Sequence, residues 1–316
     1  MGVLDVFKRA AAPVSRRLGR ARPQRADLFD DEFQRKLETL AIVSRRVFAG
    51  RMRAERRTKK KVSGIEFADH LNYVPGDDFS YVDWIVYQRF GRLLVRLYEE
   101  EEDLSIYFIV DCSTSMGFGD GKKFDQARRL AAALAYVALA NLDRVTIVAA
   151  NDSIVARMPT TRGKGRIFKV FDFLRHVEPD GVTDLRDSLK TFVAQHKRRG
   201  LAVLISDLYD PAGFEHGINV LRYNKFEPYV LHVVDPREAR PTLKGDVRIY
   251  DCETGEEREI TVTQKMLERM ERAWNDYQAE IERFCVSRQV PYFVADVETP
   301  FDEQVLKVFR RGGFLR

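Results

Sequence analysis

Apolar residues fall along this chain in short, β-branched and aromatic runs, separated by longer stretches that repeat at helical spacing. Leu104 to Val110 (LSIYFIV) reads as a buried strand, and it runs straight into Asp111-Cys-Ser-Thr-Ser115. Val145–Ala150 (VTIVAA), Leu201–Ser206 (LAVLIS) and Tyr229–Val234 (YVLHVV) repeat the pattern, with a shorter run at Pro291–Ala295. Ser153–Met158 reads as an edge strand hairpinned to VTIVAA across Asn151-Asp152. Helical spacing fills the gaps at about Lys123–Leu142, Gly165–Val177, Asp184–His196, Phe214–Tyr223 and Asp302–Arg310. The alternation predicts an α/β domain, with a mostly parallel sheet covered by helices on both faces. One insertion interrupts it at about residues 243–288. There Val247–Tyr250 and Arg258–Val262 flank Glu253-Thr-Gly-Glu256, a hairpin signal, and a long charged helix follows over Gln264–Arg288.

The first third is patterned differently. Residues 1–26 read as a flexible basic arm whose apolar cluster is Val3, Leu4, Val6 and Phe7. Phe33, Leu37, Leu40, Ala41, Val47 and Phe48 recur at helical spacing, which predicts an amphipathic helix over Asp31–Phe48. Ser63–Glu102 is rich in aromatics and turn signals, with a turn at Pro75-Gly76 and a strand at Leu93–Tyr98. The acidic run Glu99–Asp103 reads as a solvated turn into the central strand. The chain thus divides into the arm (1–26), a smaller N-terminal α+β region (27–102) and the α/β domain with its insertion (103–316).

Composition narrows the class. With 45% hydrophobic and 32% charged residues, the 316-residue chain is globular. Cys112, Cys252 and Cys285 form no CxxC pair, which argues for a reducing compartment. No run approaches the about 20 apolar residues that span a bilayer. The start lacks a signal-peptide core, and Val6 breaks the myristoylation pattern. A cytoplasmic location is the expectation. Residues 1–62 carry 18 Lys and Arg against 7 Asp and Glu (+11), and the remainder 35 against 41 (−6). The run Arg51–Lys61 (RMRAERRTKKK) is either a solvated face or a patch for an acidic protein, nucleic acid or anionic membrane. It contains no aromatic for base stacking.

Candidate chemistry gathers at the carboxyl end of the predicted sheet, where open α/β sheets bind ligands. Asp111, Ser113 and Ser115 follow one strand, Thr183 precedes a helix, and Asp207 ends a later strand. Each has a local alternative as a helix cap or turn residue. Together they are five hard oxygen donors, suited to Mg²⁺ or Mn²⁺. Asp77, Asp78, Asp83 and Trp84 form a second constellation. It reads either as a surface for a basic partner or for the chain's own arginines, or as a hydrogen-bonded turn packing Trp84. The histidines His70, His176, His196, His216 and His232 show no ligand spacing, and His232 reads as a core residue. Gly117–Lys123 departs from the phosphate-loop pattern in its glycine spacing and in having Lys123 where Ser or Thr follows.

Asp111-x-Ser113-x-Ser115, Thr183 and Asp207 resemble the metal-ion-dependent adhesion site of von Willebrand factor A domains. Tyr73-x-Pro75-Gly76-Asp77-Asp78-x5-Asp83-Trp84, Leu94-Val95-Arg96 and Asp251-x-Glu253-Thr254-Gly255-Glu256 resemble the bacterial domain-of-unknown-function 58 family. Ser80 stands where that family's pattern has a basic residue. The resemblance implies a Rossmann-like A domain in which Ser113, Ser115 and Thr183 ligate Mg²⁺ or Mn²⁺, with Asp111 and Asp207 binding directly or through water. It further implies a non-enzymatic adaptor whose metal grips a partner's Asp or Glu, the partner being a MoxR-type AAA+ ATPase or its client. Two rival expectations are nucleic-acid or anionic-membrane binding through the basic N-terminal region, and a metal-dependent phosphoesterase.

Overall fold

The computed structural model describes residues 27–48, 57–60, 66–101, 104–243, 245–251 and 257–311. The basic arm, the Glu253–Glu256 turn and most of Arg51–Lys61 lie outside them. The chain separates into two compact units, one holding the residues up to Ile42 and Leu104–Phe314, the other Val43–Asp103. This differs from the boundaries drawn on the sequence. Helix α1 (Asp31–Phe48) begins in the larger unit, because Phe29 stacks on Phe171 at 4.7 Å and Phe33 meets Phe301 at 4.5 Å.

In the smaller unit, strands β1 (Arg57–Lys60) and β2 (Glu66–Asn72) flank β3 (Leu94–Glu101), all antiparallel. The acidic run is therefore strand and not a turn as far as Glu101. Its register places Glu101 opposite Arg57 and Glu99 opposite Lys59. A short helix, α2 (Trp84–Phe90), precedes β3.

The larger unit is built on a six-stranded sheet. Its members are β4 (Ser105–Asp111), β5 (Arg144–Ala150), β6 (Ile154–Arg162), β7 (Leu201–Ser206), β8 (Glu227–Val234) and β11 (Tyr292–Asp296). Their order is β11-β8-β7-β4-β5-β6, parallel except for β6, which returns antiparallel to β5. β4 and β7 sit at the centre and are buried along their whole length, which is why their sequences are apolar runs without alternation. Between β8 and β11 stands the insertion, a hairpin of β9 (Gly245–Tyr250) and β10 (Glu257–Val262) with its own two-stranded pairing.

Helices cover both faces. They are α3 (Lys122–Ala140), α4 (Ile167–His176), α5 (Leu185–Gln195), α6 (Phe214–Tyr223), the one-turn α7 (Pro236–Ala239), α8 (Gln264–Ser287) and α9 (Phe301–Arg311). On one face, Tyr107, Ile109, Leu204 and Val230 pack against Leu189 and Phe192 of α5, Ile218 and Leu221 of α6, and Tyr277, Ile281 and Cys285 of α8. The fourfold spacing of the last three is the apolar stripe that docks the long helix. α3 lies against β4 on the other face, with α4 and α9 beside it. Among the described residues no helix is long and apolar enough to cross a membrane.

Candidate metal centre

β4 ends at Asp111, and the turn beyond it runs through Ser113 and a 3-10 turn, Thr114–Gly117, before α3 begins. The Asp111 carboxylate holds this turn in place. One oxygen accepts from Ser113 N at 2.9 Å, and the other accepts from Ser206 Oγ at the end of β7. The Ser206 hydroxyl in turn accepts from Leu208 N at 2.8 Å. The ends of the two central strands are thus bonded side chain to side chain.

The loop between α4 and α5 lies across the same edge. Thr114 N and Oγ1 both donate to Gly181 O, at 3.0 and 2.8 Å. Asp180 N donates to Cys112 O at 2.8 Å, and Asn151 Nδ2 donates to Asp180 O at 2.9 Å. Leu185 N donates to Asp210 Oδ2 at 3.0 Å, joining the start of α5 to the loop after β7. All three segments singled out in the sequence therefore meet at one edge. Asp111, Ser113, Thr183 and Asp207 are buried there, and Ser115 is half-buried.

Two observations bear on whether these residues fit a hard divalent ion. Ser113 Oγ and Ser115 Oγ are hydrogen-bonded to each other at 3.0 Å. Adjacent corners of an octahedron with Mg–O bonds of 2.0–2.1 Å are about 2.9 Å apart, so the pair is spaced as neighbouring ligands would be. The second observation is a charge that the sequence reading missed. Lys123, fully buried, donates from Nζ to Asp207 Oδ2 at 2.6 Å and to Glu238 Oε1 at 2.7 Å. Lys123 thus offsets part of the negative charge that Asp111, Asp207 and Glu238 bring to this edge, where Asp210 and Asp235 are buried as well. Among the described residues no three His, Cys, Asp or Glu side chains group as metal ligands, so such an ion would depend on the hydroxyls.

Electrostatics follow burial. Burial first, and then the nearby Asp207, push the Asp111 carboxyl up to about 6. Burial also raises Glu238, although Lys123 pulls the other way. Burial opposes the charge on Lys123, but Asp207 and Glu238 outweigh it and hold the ammonium above its ordinary pKa. His232 is a satisfied core residue: burial lowers it to about 4, and Nδ1 bonds Tyr292 Oη at 2.8 Å. Burial pushes the Cys112 thiol up to about 12, leaving it without thiolate character at neutral pH.

Lys123 had a signal. With Ala127, Leu130 and Leu134 it lies on the helical repeat that forms the buried stripe of α3, where a lysine demands a partner. Glu238 had none, because it sits on a one-turn helix. In the smaller unit Asp83 is the hydrogen-bonded turn residue: it caps α2 and pairs with the chain's own Arg96 and His70. Trp84 is not packed by this turn, being 54% exposed.

The fold and the site define an α/β protein whose mostly parallel sheet gathers hydroxyls and buried carboxylates at its carboxyl edge. The chain belongs to the family described as protein of unknown function DUF58, whose model matches residues 69–280. It is 28% identical over 244 residues to uncharacterized proteins of Mycobacterium tuberculosis and Mycobacterium bovis, a match covering 71% of this chain and 77% of theirs. An uncharacterized Mycobacterium avium protein is 30% identical over 140 residues, covering 43% of this chain and 82% of that one. The conserved hypothetical protein BatB of Bacteroides thetaiotaomicron superposes with a TM-score of 0.40 at 13% identity, over 66% of this chain and 99% of that one.

Proposed function

We propose that the larger unit is a von Willebrand factor A-type module that binds protein in a Mg²⁺- or Mn²⁺-dependent way and performs no chemistry. The carrying observation is the Ser113–Ser115 hydroxyl pair at 3.0 Å beside the buried Asp111. Ser113, Ser115 and Thr183 would hold the ion. Asp111 would reach it directly or through water, whereas Asp207, already engaged by Lys123 and by Tyr209 N at 3.2 Å, would act through water and charge. A bound ion supplies an electropositive centre for a partner's Asp or Glu, a charge-assisted contact stronger than a neutral one. His232, bonded to Tyr292 and lowered by burial to about 4, is a weak base. That supports binding over a phosphoesterase.

The partner class, a MoxR-type AAA+ ATPase or its client, rests on the family resemblance, and an adaptor in complex assembly or maturation is the role it suggests. The nucleic-acid or anionic-membrane reading is weakened by the lack of any aromatic in Arg51–Lys61 for base stacking. Calorimetric titration with Mg²⁺ tests the proposal: one site in the wild type, absent in Asp111→Ala. Equal binding by both proteins would overturn it, as would metal-dependent phosphoester turnover that needs Asp207.

A further inference from the structure

We infer that Lys123 sets the charge of the ion this centre accepts: by offsetting one unit of carboxylate charge it favours a divalent cation, and without it a trivalent ion is favoured. The inference rests on the metal reading above and adds a residue outside the ligand set. Lys123 has no exposed surface, and its ammonium is bounded by Asp207 at 2.6 Å, Glu238 at 2.7 Å and the face of Tyr209 at 5.0 Å. Nothing in that enclosure lets it leave for solvent, so its charge is a fixed part of the site. Glu238 is fixed as well, because its second oxygen closes the capping box of α7 on Asp235 N. Charges held in a low-dielectric interior are felt strongly by an incoming ion. Each unit of site charge therefore weighs one unit more on a trivalent than on a divalent ion of similar coordination.

Relative to the wild type, the formal charge changes by −1 in Lys123→Met, by +1 in Glu238→Gln, and not at all in the double variant. The experiment measures Mn²⁺ and Tb³⁺ affinity for all four full-length proteins, with circular dichroism to establish that each is folded. The Tb³⁺-to-Mn²⁺ affinity ratio should rise on the order of tenfold in Lys123→Met and fall by a similar factor in Glu238→Gln. In the double variant it should return to the wild-type value. A lysine that only props the fold would lower both affinities together and leave the ratio unchanged. Unchanged ratios in the single variants, or a double variant that does not return, overturn the inference. Should Lys123→Met not fold, Glu238→Gln, which keeps the Lys123–Asp207 pair, still decides the sign. Failure of the wild type to bind Mn²⁺ at all would instead remove the metal reading itself.

Discussion

Asp83 shows how one side chain can organise a segment. One carboxylate oxygen accepts from Ile85 N and Val86 N at 3.1 Å each, and the other meets Arg96 Nε at 2.9 Å and His70 Nε2 at 3.0 Å. Asp83→Ala removes a cap and the carboxylate that Arg96 and His70 contact, and should destabilise the smaller unit by about 1–3 kcal/mol in denaturant titrations. The Arg96 bond, and then His70, hold the Asp83 carboxyl well below the usual carboxylate range. A lowered folded pKa gives stability that is complete above the ordinary value of 3.8 and is lost as pH falls below it. Acid unfolding followed through exposed Trp84 should therefore lose that dependence in Asp83→Asn. His196 works in the same direction at higher pH. Burial lowers its pKa from 6.5, so the unfolded chain takes up the proton first and stability declines as pH drops below about 6.5. His196→Phe should flatten that part of the stability profile.

At the scale of elements, what the sequence made legible was what is buried on both sides. β4, β5, β7 and β8 announce themselves as apolar runs, and α1 begins and ends at the residues its spacing predicts. β1 (RTKK) and β2 (EFADHLN) carry no such run. They become strands through their pairing with β3, and pairing partners distant in the chain leave no periodic trace. α2 is too short for helical spacing to register, and four of its seven residues, Trp84, Ile85, Tyr87 and Phe90, are large hydrophobics left exposed. Tight approaches are equally hidden. A Cβ on Gly200 would stand 2.1 Å from the backbone oxygen of Ser105, where β7 begins beside β4. Because that obstacle is main chain in the middle of the sheet, Gly200→Ala should cost about 2–3 kcal/mol, read as a fall in Tm with the fold retained.

For the molecule as a whole, the candidate centre was legible to the extent that it depends on chain order along a parallel sheet. Asp111, Ser113, Ser115, Thr183 and Asp207 fall at one edge because crossover connections return every parallel strand to it. The Lys123–Asp207–Glu238 contact was not legible, since it joins three elements by packing depth. Gly119 shows the same dependence. It has φ +69°, and a Cβ there would fall 2.1 Å from Arg237 Nη2 and 2.6 Å from Asp235 Oδ2, so Gly119→Ala should loosen the turn carrying Ser115 and weaken Mn²⁺ binding in the same titration.

The bonds that close this edge span long stretches of chain: Ser206 to Asp111 across 95 residues, Lys123 to Asp207 across 84, and Thr114 to Gly181 across 67. Loop closure over such distances is entropically unfavourable until neighbouring strands are already in register. The edge is therefore expected to assemble after the sheet that carries it. In pulsed hydrogen exchange during refolding, the amides of Ile109 and Leu204 should become protected before those of Thr114 and Asp180. A chain able to take up a cation at this edge would then be one that had finished folding.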